Sequence, residues 1–308
     1  MMKINNKVLF IALVVLGGSF VLTRLYRAPA LESNVRKELV RLDTTLVTEV
    51  RLRPAKDSGE IRLVKNGAKW KVLKENREEE AEGGSVESML GVLMNLNVQR
   101  MMSRKKEKWD AYEVGEKATY VMVYAGNNKM ADIRIGKTGF SQGQGTDGAF
   151  TYVRLNAEEE VYSSAGMLGP HFNKNFNDWR NKLFLKVRKD DVAKISFNYP
   201  DSGFVLEKRD SLWYVNDQVA DDSKMSMYFS KIRFKTVSDF EDGFVPSGQA
   251  LLTIQVTPRQ GPTIEVKAWP KDEGEWILHS SLQGHVYFKG RTDGVIKDVF
   301  VGMRSFLE

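Results

Sequence analysis

The stretch Ile61-Arg62-Leu63-Val64-Lys65-Asn66-Gly67-Ala68-Lys69-Trp70-Lys71-Val72 decides the fold, because the chain writes it a second time. The second version is Phe204-Val205-Leu206-Glu207-Lys208-Arg209-Asp210-Ser211-Leu212-Trp213-Tyr214-Val215. Both place apolar residues at alternate positions on either side of a polar turn, with tryptophan seven residues after leucine. Period-two alternation through a short polar turn predicts a hairpin with one buried face. The matched tryptophans, Trp70 and Trp213, are therefore expected in two cores rather than on a ligand platform.

Working outward, each hairpin sits in the same order of elements. Val50 and Leu52 precede the first, and Ile195 and Phe197 precede the second. After the first hairpin an acidic, glycine-bearing loop (Glu78 to Gly84) leads to a helix with Ser85 as its N-cap and Val86, Met89, Leu90, Leu93 and Leu96 at helical spacing. After the second, Asp222 or Ser223 caps a helix carrying Met225, Tyr228, Phe229 and Ile232. Meanders follow: Val121 and Val123 face Ile133 and Ile135, and Leu252, Ile254 and Val256 face Ile264 and Val266. Val161-Tyr162 and Val286-Tyr287 close the two copies. The expected fold is α+β: an N-terminal transmembrane helix, then two tandem repeats of mainly antiparallel sheet, each with a packed helix. The domains expected are an anchor at 1–27, a tether at 28–42, a first repeat at 43–183 and a second at 187–308.

The anchor rests on Val8 to Leu22, 15 uncharged residues flanked by Lys3, Lys7, Arg24 and Arg27. As a helix the run spans roughly 22 Å, and extending it to Tyr26 approaches the roughly 30 Å hydrocarbon thickness. Ala28-Pro29-Ala30 offers the competing reading of a cleaved secretory signal, against which Arg24 and Arg27 stand in a region that should be neutral. An uncleaved anchor over residues 8–26 predicts a single-pass protein of the inner (cytoplasmic) membrane with its C-terminal domains in the periplasm.

The net charge of +6 reduces to a local feature. Residues 1–27 hold four basic residues and no acid, leaving 42 basic against 40 acidic groups in the other 281. A nucleic-acid binder concentrates cations on the face that meets phosphate, so nucleic acid is not an expected partner. The absence of cysteine excludes thiol nucleophiles, disulfides and thiolate metal sites.

No catalytic, cofactor-binding or metal residue is assigned. Ala131 to Thr138 (ADIRIGKT) ends like a phosphate-binding loop but lacks the leading glycine and the following helix, so it reads as a strand end and no nucleotide is expected. Ser141 to Gly148 reads as a solvated connection. His171, His279 and His285 lack the ligand spacing of a zinc site, although His279 and His285 fall in one hairpin. The acidic clusters at 78–80, 158–160, 221–222 and 239–242 lack calcium-loop spacing and read as loops and caps.

Trp70, the following helix, Tyr112-Glu113-Val114, the strand end Ile133 to Gly136, Tyr152-Val153-Arg154, Val161-Tyr162 and Asp178-Trp179-Arg180-Asn181-Lys182 occur in an order that resembles the bacterial family called domain of unknown function 4340. The resemblance covers most of residues 43–245. It implies an N-terminal membrane segment and genes often found beside ABC-type transport components, some related to gliding motility. The family has no established catalytic residues. The function expected is therefore a non-catalytic, membrane-anchored periplasmic accessory or scaffold protein of an envelope complex, associated with an ABC-type transport or motility system. Two alternatives stand beside it. One is a glycan- or lipid-binding module with an aromatic groove near Trp179; the other is an envelope hydrolase.

Overall fold

A computed structural model describes residues 15–19, 38–55, 59–141 and 148–307. It divides into two compact units, one made of residues 1–62 and 87–173, the other of 63–86 and 174–308. The strands are β1 (Glu49–Arg53), β2 (Ile61–Asn66), β3 (Lys69–Lys74), β4 (Arg77–Glu80), β5 (Val98–Ser103), β6 (Thr119–Ala125), β7 (Asn128–Phe140), β8 (Ala149–Leu155) and β9 (Val161–Ala165). They continue as β10 (Leu183–Lys186), β11 (Val192–Asn198), β12 (Phe204–Arg209), β13 (Leu212–Val215), β14 (Gln218–Val219) and β15 (Phe234–Thr236). The last four are β16 (Leu252–Pro258), β17 (Ile264–Pro270), β18 (Glu275–Ser280) and β19 (Tyr287–Arg291). Two helices matter to the fold, α1 (Gly83–Met94) and α2 (Asp222–Ile232).

The duplication read from the hairpins extends to strand order. In the first unit the strands run β1-β6-β7-β8-β9-β5, every pair antiparallel. In the second, β11-β16-β17-β18-β19 forms the same meander, and β14-β13-β12 repeats the order β4-β3-β2. Ile254 faces Val266 and Val256 faces Ile264, the register that the alternation predicts. The hairpin turns use different residues for one backbone need: Gly67 takes φ +62° in the first, whereas Asp210 takes φ 55° in the second. Glycine adopts that conformation without a Cβ penalty, and aspartate is among the few residues that tolerate it.

Trp70 and Trp213 are both buried. Trp213 packs on Phe229 of α2 with ring centroids 5.3 Å apart, within a core that includes Leu206, Val215, Met225 and Ile254. Asp221 caps α2, its carboxylate accepting from the Lys224 amide, one residue before the expected cap. The first helix begins at Gly83, ahead of Ser85, because residues 77–80 are not a loop. They form β4, where Glu78 and Glu80 pair with Lys71 and Lys69 of β3.

The expected transmembrane helix is corrected. Among the described residues no helix is long and apolar enough to cross a membrane. The longest described helix, α1, has 12 residues, about 18 Å at 1.5 Å per residue, against a hydrocarbon core of about 30 Å. Its Val86, Met89, Leu90 and Leu93 are buried, so its apolar stripe is already used within the protein. Of the expected span at 8–26 only residues 15–19 are described, as helix; the remainder, with the expected cleavage site at 28–30, lies outside the described residues. The expected single-pass inner-membrane placement with periplasmic domains is overturned by the same finding.

Candidate functional site

The outer face of the second sheet carries the candidate site. One face of β16 to β19 is core, with Ile254, Val266, Leu278 and Phe288 buried. The other face presents a cross-strand row fixed by register: Asn198 lies opposite Thr253, Thr253 opposite Lys267, Lys267 opposite His279, and His279 opposite Tyr287. Since side chains alternate across a strand, Glu265 and Trp269 flank Lys267 on that face.

The connection between β15 and β16 forms the opposing wall. Its start is pinned beside β19, where the Glu241 amide donates to the Tyr287 carbonyl at 2.9 Å and the Lys289 amide donates to that of Asp239 at 2.8 Å. Its end is pinned where the Leu251 amide donates to the Ala268 carbonyl at 2.9 Å. Between these anchors Trp269 Nε1 donates to the Gly248 carbonyl at 3.0 Å. Phe244 sits 5.8 Å from Trp269 and 5.1 Å from Tyr287 by ring centroid, and the His279 ring lies 5.1 Å from Tyr287. The enclosed cleft has a volume of about 580 Å³, within the range of small-molecule sites.

Its charges are already paired. The Lys267 ammonium contacts the Glu265 carboxylate at 2.5 Å, and the Gln255 amide donates to the other oxygen at 3.3 Å. The Lys267 hydrogen bond holds the Glu265 carboxyl below the usual carboxylate range against the opposing effect of burial, with Gln255 adding to it. The cleft therefore offers aromatic faces, hydroxyl and amide groups, and a neutral ion pair.

Apart from His279, the residues singled out in the sequence fall elsewhere or serve the scaffold. ADIRIGKT lies within β7, and a Cβ on Gly136 would collide with the Tyr112 carbonyl; this glycine exists for close packing, not for phosphate. The loop at 141–148 falls largely outside the described residues. Trp179 is 0% exposed, so it offers no ring face and the expected groove is not at this residue. His279 enters the cleft, whereas His285 lies on the Glu79 carboxylate at 3.2 Å. Among the described residues no group of three or more His, Cys, Asp or Glu could hold a metal ion.

The two arginines buried among the described residues, Arg154 and Arg180, are structural. Arg154 donates to the carbonyls of Val114, Leu155, Asn156 and Glu158 and lies 3.7 Å from the Trp109 ring centroid. Arg180 pairs with Glu79 at 3.2 Å and Asp242 at 2.9 Å and lies over Phe240 at 3.7 Å. Arg77 joins Asp242 at 2.5 Å. Both arginines stand in the ordered motifs quoted above, and a family profile, the domain of unknown function 4340, matches residues 70–249. The chain belongs to this family. No curated protein and no solved structure matches it.

The DUF4340 match runs from Trp70 to Gln249, so it includes both arginine clamps and most of the cleft's opposing wall but stops short of Lys267, Trp269, His279 and Tyr287. Lys267 and Trp269 were missed in the sequence, His279 was weighed there only as a metal ligand, and Tyr287 was read only as the close of the second copy. The available signal was alternation: Trp269 and Lys267 share a parity opposite to buried Val266 and Ala268, which puts an aromatic residue on an outward face.

Proposed function

We propose that this member of the family is a non-catalytic accessory protein that works by binding, and that the outer-face cleft of its second sheet takes a neutral glycan chain. The observation that carries the reading is the row Asn198–Thr253–Lys267–His279–Tyr287, flanked by Trp269. Sugar rings present apolar C–H faces and an equatorial belt of hydroxyls. Aromatic rings accept the former, and amides, hydroxyls and a pre-paired carboxylate and ammonium accept the latter. Trp269 is held by its own hydrogen bond, which lowers the ordering cost on binding.

Binding is favoured over hydrolysis because glycoside cleavage needs two carboxylates across the bond, one of them a proton donor. Among the described residues Glu265 is the one carboxylate lining the cleft, and Lys267 favours its ionised form. Association with an ABC-type transport or motility assembly rests on the family resemblance. Titration calorimetry of the full chain against neutral oligosaccharides, chitotetraose and maltotetraose among them, tests the reading. Saturable binding that falls at least tenfold in Trp269→Ala supports it; equal binding by the variant, or none by the parent across the panel, removes the cleft from consideration.

A further inference from the structure

A second cavity of the same unit has the opposite chemistry. It measures about 700 Å³ and lies between the segment after β10, the ends of β16 and β17, and the turn joining them. Much of its wall is apolar: Val187, Val192 and Val256, all buried, with Pro258, Ile264 and Leu282 beside them. Leu282 is 40% exposed at the rim, an apolar side chain left facing solvent.

The charges at this cavity are unbalanced. Lys186, Arg188 and Arg259 line it against a single acid, Asp191. Asp191 is engaged by Arg188 at 3.6 Å, and its carbonyl accepts from the Arg259 amide at 2.7 Å, which fixes the turn that carries the Arg259 side chain. Lys186 and Arg259 have no carboxylate within ion-pair distance among the described residues. An apolar hollow with two uncompensated cations at its mouth is complementary to one class of molecule: a tail that leaves water and a head that is negative.

We propose that this cavity binds a single-chain anionic amphiphile, the tail against Val192, Val256, Ile264 and Leu282 and the head between Lys186 and Arg259. The tail supplies affinity through buried apolar area. The exposed cations select the head and speed its arrival, so the site discriminates by charge at equal tail length. A carboxylate and a phosphate monoester share the required chemistry. The site is separate from the glycan cleft in residues and in ligand, and neither reading depends on the other.

The test is titration of the full chain, below the critical micelle concentration, with oleate, 1-oleoyl lysophosphatidate and uncharged monoolein, which share one tail. The proposal expects saturable one-to-one binding of at least one anionic ligand, at least tenfold tighter than monoolein. Comparison of the two anions distinguishes a fatty acid from a lysophospholipid. The double variant Lys186→Glu, Arg259→Glu and the rim variant Leu282→Asp should each weaken anionic binding at least tenfold, with circular-dichroism melting curves like the parent's. Equal affinity for monoolein, unchanged binding in both variants, or no saturable binding of either anion overturns the proposal. Loss of oleate binding in Trp269→Ala, with retention in the double variant, also overturns it by moving the ligand to the other cleft.

Discussion

The outer faces of the two meanders are built alike and finished differently. In the first, register aligns Arg53 with Tyr120, Tyr120 with Arg134, and Arg134 with Arg154. In the second, the corresponding row is Asn198, Thr253, Lys267, His279 and Tyr287. In both, the connection that follows the strand after the helix covers the row. In the first copy it closes: Arg134 lies 3.2 Å from the Tyr120 ring centroid, Trp109 covers Arg154, and four backbone carbonyls accept from that guanidinium. Burial, with the neighbouring Arg154 and Arg53, pushes the Arg134 group down to about 10. In the second copy the covering connection is held at both ends and leaves a cleft of about 580 Å³. The same scaffold thus offers a sealed face and an open one, and the long arginines fill in one place what shorter residues leave open in the other.

The experiments that would break this comparison run from the scaffold to the cleft. Trp70→Ala and Trp213→Ala should each cost about 3–5 kcal/mol by chemical denaturation, as core aromatic truncations do, because the twin hairpins are matched in burial. Arg154→Ala should cost about 2–3 kcal/mol, since buried carbonyls lose their donor. Lys267→Ala in the matching row should stay within about 0.5 kcal/mol of the parent, as a half-exposed surface change. Equal losses at Arg154 and Lys267 would show that the two faces are not differently finished. Trp269→Ala should leave stability within about 1 kcal/mol while abolishing glycan binding.

The smallest expected effect concerns pH. Lys267 depresses the Glu265 carboxyl below its ordinary value of 4.5, so the folded state binds this proton less readily than the unfolded chain. The resulting stabilisation is present above that ordinary value and is lost as pH falls through the lower, folded one. The melting temperatures of the parent and Glu265→Gln should therefore differ slightly at pH 7 and converge below about pH 4. A gap that widens in acid would contradict the pairing seen in the cleft.

Much of the fold was legible in the chain because alternation and helical spacing are local. Leu63, Trp70, Leu206 and Trp213 declared two buried hairpin faces, and Met225, Tyr228, Phe229 and Ile232 declared a helix stripe, all of them buried. The acidic run at 78–80 misled, because three consecutive glutamates look like a solvated loop until Lys69 and Lys71 are placed beside them as a strand. An apolar N-terminal run suggested a spanning helix; among the described residues, which take in only 15–19 of that run, no helix is long and apolar enough to cross a membrane. Trp179 looked like a surface aromatic in a polar motif, but its burial depends on what packs around it, which spacing does not record.

By itself, then, the sequence determined the duplication, the antiparallel hairpins and the family, since each is written in residue order and period. Tertiary structure alone decided which outer face is sealed and which is open. That outcome depends on where a connection of 15 residues lands on the strands of the meander, and on whether the side chains beneath are long enough to meet it.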